Sequence, residues 1–271
     1  MKPYRGWLTN PERKKRQEKS LAFNENDVQD LIYQIDSMPH YVSKTLGHET
    51  DRTLRIRDKA LIATGWIWFK RASEILGVKR KDVYLDVNKI YITFHIRKKS
   101  KRFKTCPLCS KQSGYKAKFC RECKTDLQDV LIQGGTEEFT ATKNMTLKYN
   151  VTKPLVEWLD SFDKLTEDQN IADNSEAWFF PALQVCFNSG VLKFYSEKPM
   201  TVQNFDHILQ KLDPTITSSF FRYFRTEQLQ VRGYTNEELT QIGDWSSSHM
   251  PEIYAKRKGL TPALRRFGDN L

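Results

Sequence analysis

A mainly α-helical fold with a small antiparallel β-sheet is what this 271-residue sequence predicts. Three observations carry that expectation. Apolar residues recur at helical spacing in the first and last parts of the chain, whereas central stretches alternate with period two and are rich in Val, Ile, Tyr and Thr. Between the two strand-like stretches lies a pair of Cys-x-x-Cys units.

The first helix is expected from NENDVQDLIYQID. Asn24 or Asn26 can cap it, acidic residues follow, and Val28, Leu31, Ile32 and Ile35 recur at helical spacing. TLRIRDKALIATGWIWFK predicts a second helix, too densely apolar for a surface position and therefore buried. RASEILGV adds a short third helical segment ending at Gly77. The character then changes, and DVYLDVNKIYITFHI reads as strand. EEFTATKNMTLKYNVT is expected to form two short strands with a turn near Lys143 and Asn144. KPLVEWLDSF and TVQNFDHILQKL are amphipathic helices separated by EAWFFPAL and a loop. From Ser218 onward the chain reads as helical, with turns at Gly233 and Gly243.

Composition narrows the function. The longest apolar run, around Ala60 to Phe69, is too short to span a bilayer, and the N-terminus shows no signal-peptide pattern. The expectation is an intracellular, cytoplasmic protein with no membrane association. Its 44 Lys and Arg against 33 Asp and Glu give a net charge of +11. An excess of that size points to a polyanionic partner, above all nucleic acid. Residues 1–20 form a basic tail, either a solvated arm or a source of phosphate contacts; the two are compatible.

Cys106-x2-Cys109 and, ten residues on, Cys120-x2-Cys123 have the spacing of a four-thiolate zinc site rather than of disulfides. Pro107, Ser113 and Gly114 supply turns between the ligands, and lysines and arginines surround them. Four thiolates leave no open coordination position, so the expected Zn2+ is structural. A zinc-ribbon-like module over 104–126 follows. Cys186, in the apolar run FFPALQVCF, is expected to be a small buried hydrophobe.

Two arginines stand where a guanidinium needs a reason. Arg71 follows the apolar helix; it either pairs with Glu74 three residues on or holds a phosphate through its fork of donors. Arg222 follows Phe220 and Phe221 in an aromatic cluster, so desolvation calls for an anion from the protein or from a ligand; Arg225, three residues on, is the competing candidate or simply faces solvent. Tyr254 lies in GDWSSSHMPEIYAKRKG as either a helix anchor or a nucleophile.

R-x-S-E-x-L-G after an apolar helix, a strand region with lysines, an arginine in a late helix, G-x-W-S-S-S, and Tyr254 nine residues after Trp245 together resemble the tyrosine recombinase, or phage integrase, family. The Trp-Ser-Ser-Ser-x-Met-Pro-x-x-Tyr stretch is similar to archaeal integrases. The resemblance spans about residues 24 to 260 and implies a catalytic domain over 21–271, with the zinc module inserted in it.

By that resemblance Arg71 and Arg222 are the catalytic arginines, Glu74 is the acid following the first, and Trp245 takes a position that the family fills with histidine or tryptophan. Tyr254 is the nucleophile that forms a 3′-phosphotyrosyl link to duplex DNA. No metal or nucleotide is consumed. A lysine protonates the departing 5′ oxygen; Lys143 is preferred, with Lys99 second and Lys101 third. The implied activity is site-specific DNA recombination by an oligomer on DNA, integrating or excising a mobile element.

Two departures stand out. Ser219 occupies a place where the family usually has histidine, and a hydroxyl is no general base near neutral pH. His249 either approaches the site or serves a solvated helix-cap role. The separate N-terminal DNA-clamping domain common in the family is expected to be missing, with only about twenty residues, rich in basic side chains, before the first helix. The zinc module and basic tail then either take over part of the DNA grip or the module merely staples a long hairpin. A catalytically silent DNA-binding protein and a topoisomerase-like nicking and closing enzyme are the alternatives.

Overall fold

The computed structural model describes residues 23–39, 41, 47–99, 102–171, 173–186, 191–193 and 197–256, with side chains outside the description at 98–99, 184–186, 191–193 and 253–256. The chain divides into two compact units: His95–Ala141, and the residues before and after it.

In the larger unit, α1 (Glu25–Ser37) begins at Asn24, whose side chain accepts the Asn26 N–H while Asp27 accepts the Asn24 N–H. Val28, Leu31 and Ile35 are its buried face. The second helix, α2 (His48–Trp68), is buried almost continuously from Ala60 to Trp68, as its apolar density requires. It packs against α4 (Lys153–Asp168), α1 and α6 (Ser218–Val231). An aromatic cluster of Phe23, Trp66, Phe220, Phe221 and Phe224 fills the junction, with Phe23 edge-on to Phe220 at 4.9 Å. Gly65 is required there, because a Cβ would lie 2.8 Å from the Phe221 ring.

Short helix α3 (Ala72–Leu76) leads to a three-stranded sheet of order β1 (Val83–Asp86), β2 (Lys89–Lys99), β5 (Thr136–Thr146). The first two strands are an antiparallel hairpin pairing Val83 with Ile92 and Asp86 with Lys89. DVYLDVNKIYITFHI is thus two strands, because Asp86 accepts the Val87 N–H and the chain reverses at Val87–Asn88. The expected turn at Lys143–Asn144 is absent: β5 runs straight through both, and the chain turns at Leu147, whose N–H donates to Asn88.

The small hairpin β6 (Gln184–Cys186) and β7 (Val191–Lys193) occupies what the sequence suggested was loop. Cys186 lies on β6, and its side chain is outside the description. The remaining helices are α5 (Val202–Leu212), α7 (Asn236–Gly243) and α8 (His249–Lys256). Gly233 turns the chain with φ 90° between α6 and α7, while at the end of α7 it is Asp244, φ 50°, that takes the left-handed conformation.

Within the smaller unit, β3 (Phe103–Thr105) pairs antiparallel with β4 (Gln112–Gly114). Ser113 and Gly114 are therefore strand and not turn; the reversal falls on the Cys106–Lys111 loop between them. Among the described residues, no helix is long and apolar enough to cross a membrane.

Candidate functional site

The site starts at the end of α2. Phe69 closes that helix in a left-handed conformation, φ 37°, which costs a non-glycine residue about 1–2 kcal/mol. The strain redirects the chain. Lys70 turns inward and is wholly buried, whereas Arg71 emerges with its side chain 48% exposed. Packing of Phe69 against Trp245, ring centroids 6.4 Å apart, holds the turn.

Arg71 is the N-cap of α3, and Glu74 answers it twice. Its carboxylate accepts the Arg71 backbone N–H at 2.8 Å and the guanidinium Nη1 at 2.6 Å. The same carboxylate, buried, also takes Nη1 of Arg222 at 3.4 Å. Arg222 comes from α6, 148 residues further on, and is itself buried, so this pairing provides the anion its desolvation demands. Its Nη2 donates to the Gly243 carbonyl at 3.4 Å, and its guanidinium lies 5.1 Å over the Trp245 ring. Gly243 is itself a close approach: a Cβ there would stand 2.9 Å from that indole.

Asp244 joins the other cations. It accepts from buried Lys70 and, at 3.0 Å, from Lys143 of β5, whose Nζ also donates to the Gln241 carbonyl at 3.2 Å. Burial lowers the Lys70 pKa to about 8, although Asp244 pulls it back upward. Sequence reasoning missed Lys70 and Asp244. The signal for Lys70 was a second basic residue beside Arg71 directly after an apolar helix.

Arg71, Ser219 and Arg222 line one cavity of about 300 Å3, with Lys70, Ser218 and Tyr223. Neither Lys143 nor Trp245 lines it. Ser219 is exposed in the first turn of α6, with its hydroxyl 3.2 Å from that of Thr217. His249 opens α8 and pairs with Glu252 at 2.9 Å on the surface. Lys99 ends β2 and Tyr254 lies on α8, each with its side chain outside the description; Lys101 lies outside the described residues.

The smaller unit brings Cys106, Cys109, Cys120 and Cys123 together, all sulfurs within 4.8 Å of one another. Two equivalent loops build the cluster. In the first, the Ser110 N–H donates to the Cys106 carbonyl and the Cys106 N–H to Lys111; in the second, Lys124 donates to Cys120 and Cys120 to Thr125. Ser110 and Lys124 share the left-handed conformation, φ 56° and 59°. Sulfur separations of 3.4 Å for Cys106–Cys123 and 3.5 Å for Cys109–Cys120 are far too long for a disulfide. They are near the edge of about 3.8 Å in a tetrahedron with metal–sulfur bonds of about 2.3 Å. The donor set fits one four-coordinate ion.

No family model and no curated protein matches the sequence. Among solved structures, the chain is similar to the XerH site-specific recombinase bound to palindromic difH substrate in a post-cleavage complex, with TM-score 0.50 and 13% identity over 91% of this chain. The XerH pre-cleavage complex with difH gives 0.48 and 13% over 89%. The chain spans about half the length of these proteins, 52% in each case. With its α+β architecture, the likeness to the post-cleavage complex shows that this chain has the tyrosine recombinase fold, accompanied by a four-cysteine cluster.

Proposed function

We propose that the protein is a site-specific DNA recombinase that cuts and rejoins duplex DNA through a 3′-phosphotyrosyl intermediate, moving a mobile element into or out of its host DNA as an oligomer on DNA. One observation carries this most: Glu74 draws Arg71 and Arg222 from distant parts of the chain to one cavity edge. Lys70, Arg71, Lys143 and Arg222 set four positive charges against the two carboxylates Glu74 and Asp244. That surplus suits a phosphodiester whose charge grows towards a dianionic phosphorane-like transition state.

In this reading the Tyr254 oxygen attacks the scissile phosphorus. A P–O bond to the tyrosine forms, the P–O5′ bond breaks, and the phenolic proton passes to water. Lys143 protonates the departing 5′ oxygen; its ion pair one residue before Trp245 favours it over Lys99 and Lys101. Attack by a 5′ hydroxyl reverses the step and rejoins the strand. Arg71 and Arg222 bind the non-bridging oxygens, Trp245 donates its indole N–H, and Ser219 donates a hydroxyl in place of an imidazole.

The proposed catalytic domain is 21–271, preceded by the basic tail 1–20 and interrupted by a zinc module at 104–126. Cys106, Cys109, Cys120 and Cys123 would hold one Zn2+, which supplies folding energy and no open site for chemistry. Ser219 favours a second reading, a DNA-binding protein that keeps the fold and has lost cleavage.

A pool of nicked duplexes of random sequence separates the readings. Covalent protein–DNA adducts enriched in one sequence support the recombinase. Adducts indifferent to sequence indicate a topoisomerase-like enzyme, and DNA binding without adducts indicates the silent protein.

A further inference from the structure

The net charge of +11 is unevenly held. Residues 23–94 and 142–271 carry 26 basic and 26 acidic residues and are neutral as a body. Residues 1–22 contribute an excess of five, and the 47-residue unit His95–Ala141 an excess of six, with 11 basic residues against five acidic. Inside that unit the polarity is sharper. From Arg97 to Arg121 there are ten basic residues and no acidic one.

The structure leaves much of this charge open. Arg102, Lys111, Lys116, Lys118 and Arg121 are exposed. Lys104 is the exception, buried and donating to the Leu127 carbonyl at 2.6 Å, where it ties β3 to the segment that follows the second cysteine loop. Tyr115 is exposed and in cation–π range of two of these cations, with Arg102 5.9 Å and Lys116 5.6 Å from its ring centre. Four thiolates around a divalent ion would cost the unit only two charges, leaving it positive.

We propose that the four-cysteine unit is a DNA-gripping element, whose rigid loops carry Arg102, Lys111, Lys116, Lys118 and Arg121 to the phosphates of duplex DNA. This rests on the recombinase reading for the choice of duplex DNA as the polyanion. The cluster gives the loops a fixed shape, and the charges on them neutralise backbone phosphates without reading sequence.

The test uses the full chain and a duplex of random sequence, with binding followed by fluorescence anisotropy across a salt series. Each phosphate that the protein no longer neutralises should lower the slope of log K against log salt by about 0.9. The triple variant Lys116→Glu, Lys118→Glu, Arg121→Glu should therefore lose roughly two to three units of slope and bind at least tenfold more weakly at low salt. The matched variant Lys153→Glu, Lys164→Glu, Lys198→Glu makes the same change in net charge outside the unit and should keep the wild-type slope. Equal slopes in wild type and the first variant would overturn the proposal, as would equal losses in both variants. Metal content of the first variant, unchanged from wild type, shows that its cluster is intact; if the metal is lost, the single variants Lys116→Ala and Lys118→Ala, each expected to lose close to one slope unit, decide the matter. Adduct formation is scored separately at saturating DNA. Absence of adducts from a wild type that keeps its slope difference sinks the recombinase reading and leaves the grip standing.

Discussion

Lys70 and Asp244 form an ion pair in which the lysine side chain is wholly buried and the aspartate is shared with Lys143. The pair ties the end of α2 to the end of α7 and so sets the loop that carries Trp245. Asp244→Ala would strand a buried ammonium, a change that typically costs about 3–5 kcal/mol. Lys70→Met should cost less, because Asp244 keeps Lys143. In denaturant titrations the double variant should recover part of the single-variant loss. Additive losses would show that the pair contributes little.

Alkaline stability follows from the same lysine. Its folded pKa, about 8, lies below the ordinary 10.5, so between those values the unfolded chain binds the proton and the folded one does not. Stability from this group therefore rises with pH across that window and is lowest below it. Asp244, Lys143 and Glu74 are the charged neighbours that act on it. Wild type measured against Lys70→Met should gain in relative melting temperature from pH 8 to 10.5. A flat difference would mean that the ammonium is not penalised by burial.

Gly243→Ala would normally favour the last turn of a helix. Here its new methyl group meets the indole of Trp245, which is backed by Phe69 and Arg222 and cannot give way. Overpacking of this kind costs about 1–3 kcal/mol. The expected result is a lower melting temperature with an altered tryptophan signal. A stabilised variant would show that the ring moves freely.

Metal analysis of protein purified without added zinc should find about one equivalent per chain, and Cys106→Ser with Cys109→Ser should remove it. Hydrogen exchange should then quicken across 102–133 while amides of α2 and α4 hold, because each unit has its own core. A folded wild-type unit lacking metal would contradict the assignment.

Much of this architecture was legible in the sequence. The density of apolar residues before Phe69 required a buried helix, and the Cys-x-x-Cys spacing foretold a cluster that two matching loops build. What escaped notice was conformational. Asp86 and Asn88 are turn formers, but with neither glycine nor proline between them their signal was lost in an otherwise continuous strand pattern, whereas the similar signal at Lys143–Asn144 was overridden by pairing of β5 with β2. Lys70 and Asp244 were hidden for a related reason. Which of two adjacent basic residues points inward depends on the left-handed turn at Phe69, a conformation that phenylalanine rarely adopts and that the Trp245 packing imposes.

The most direct test of the central claim compares wild type with Tyr254→Phe on a nicked duplex carrying the selected site, reading covalent adduct on a denaturing gel. A phenol of pKa about 10 is almost wholly protonated at neutral pH, so attack depends on the positive field that Arg71, Arg222 and the lysines are proposed to provide. The account predicts that wild type becomes covalently linked to DNA, and that Tyr254→Phe folds, binds the same duplex with wild-type affinity and forms no adduct. A wild type that binds the site without ever forming an adduct, or an adduct that persists in Tyr254→Phe, would contradict it.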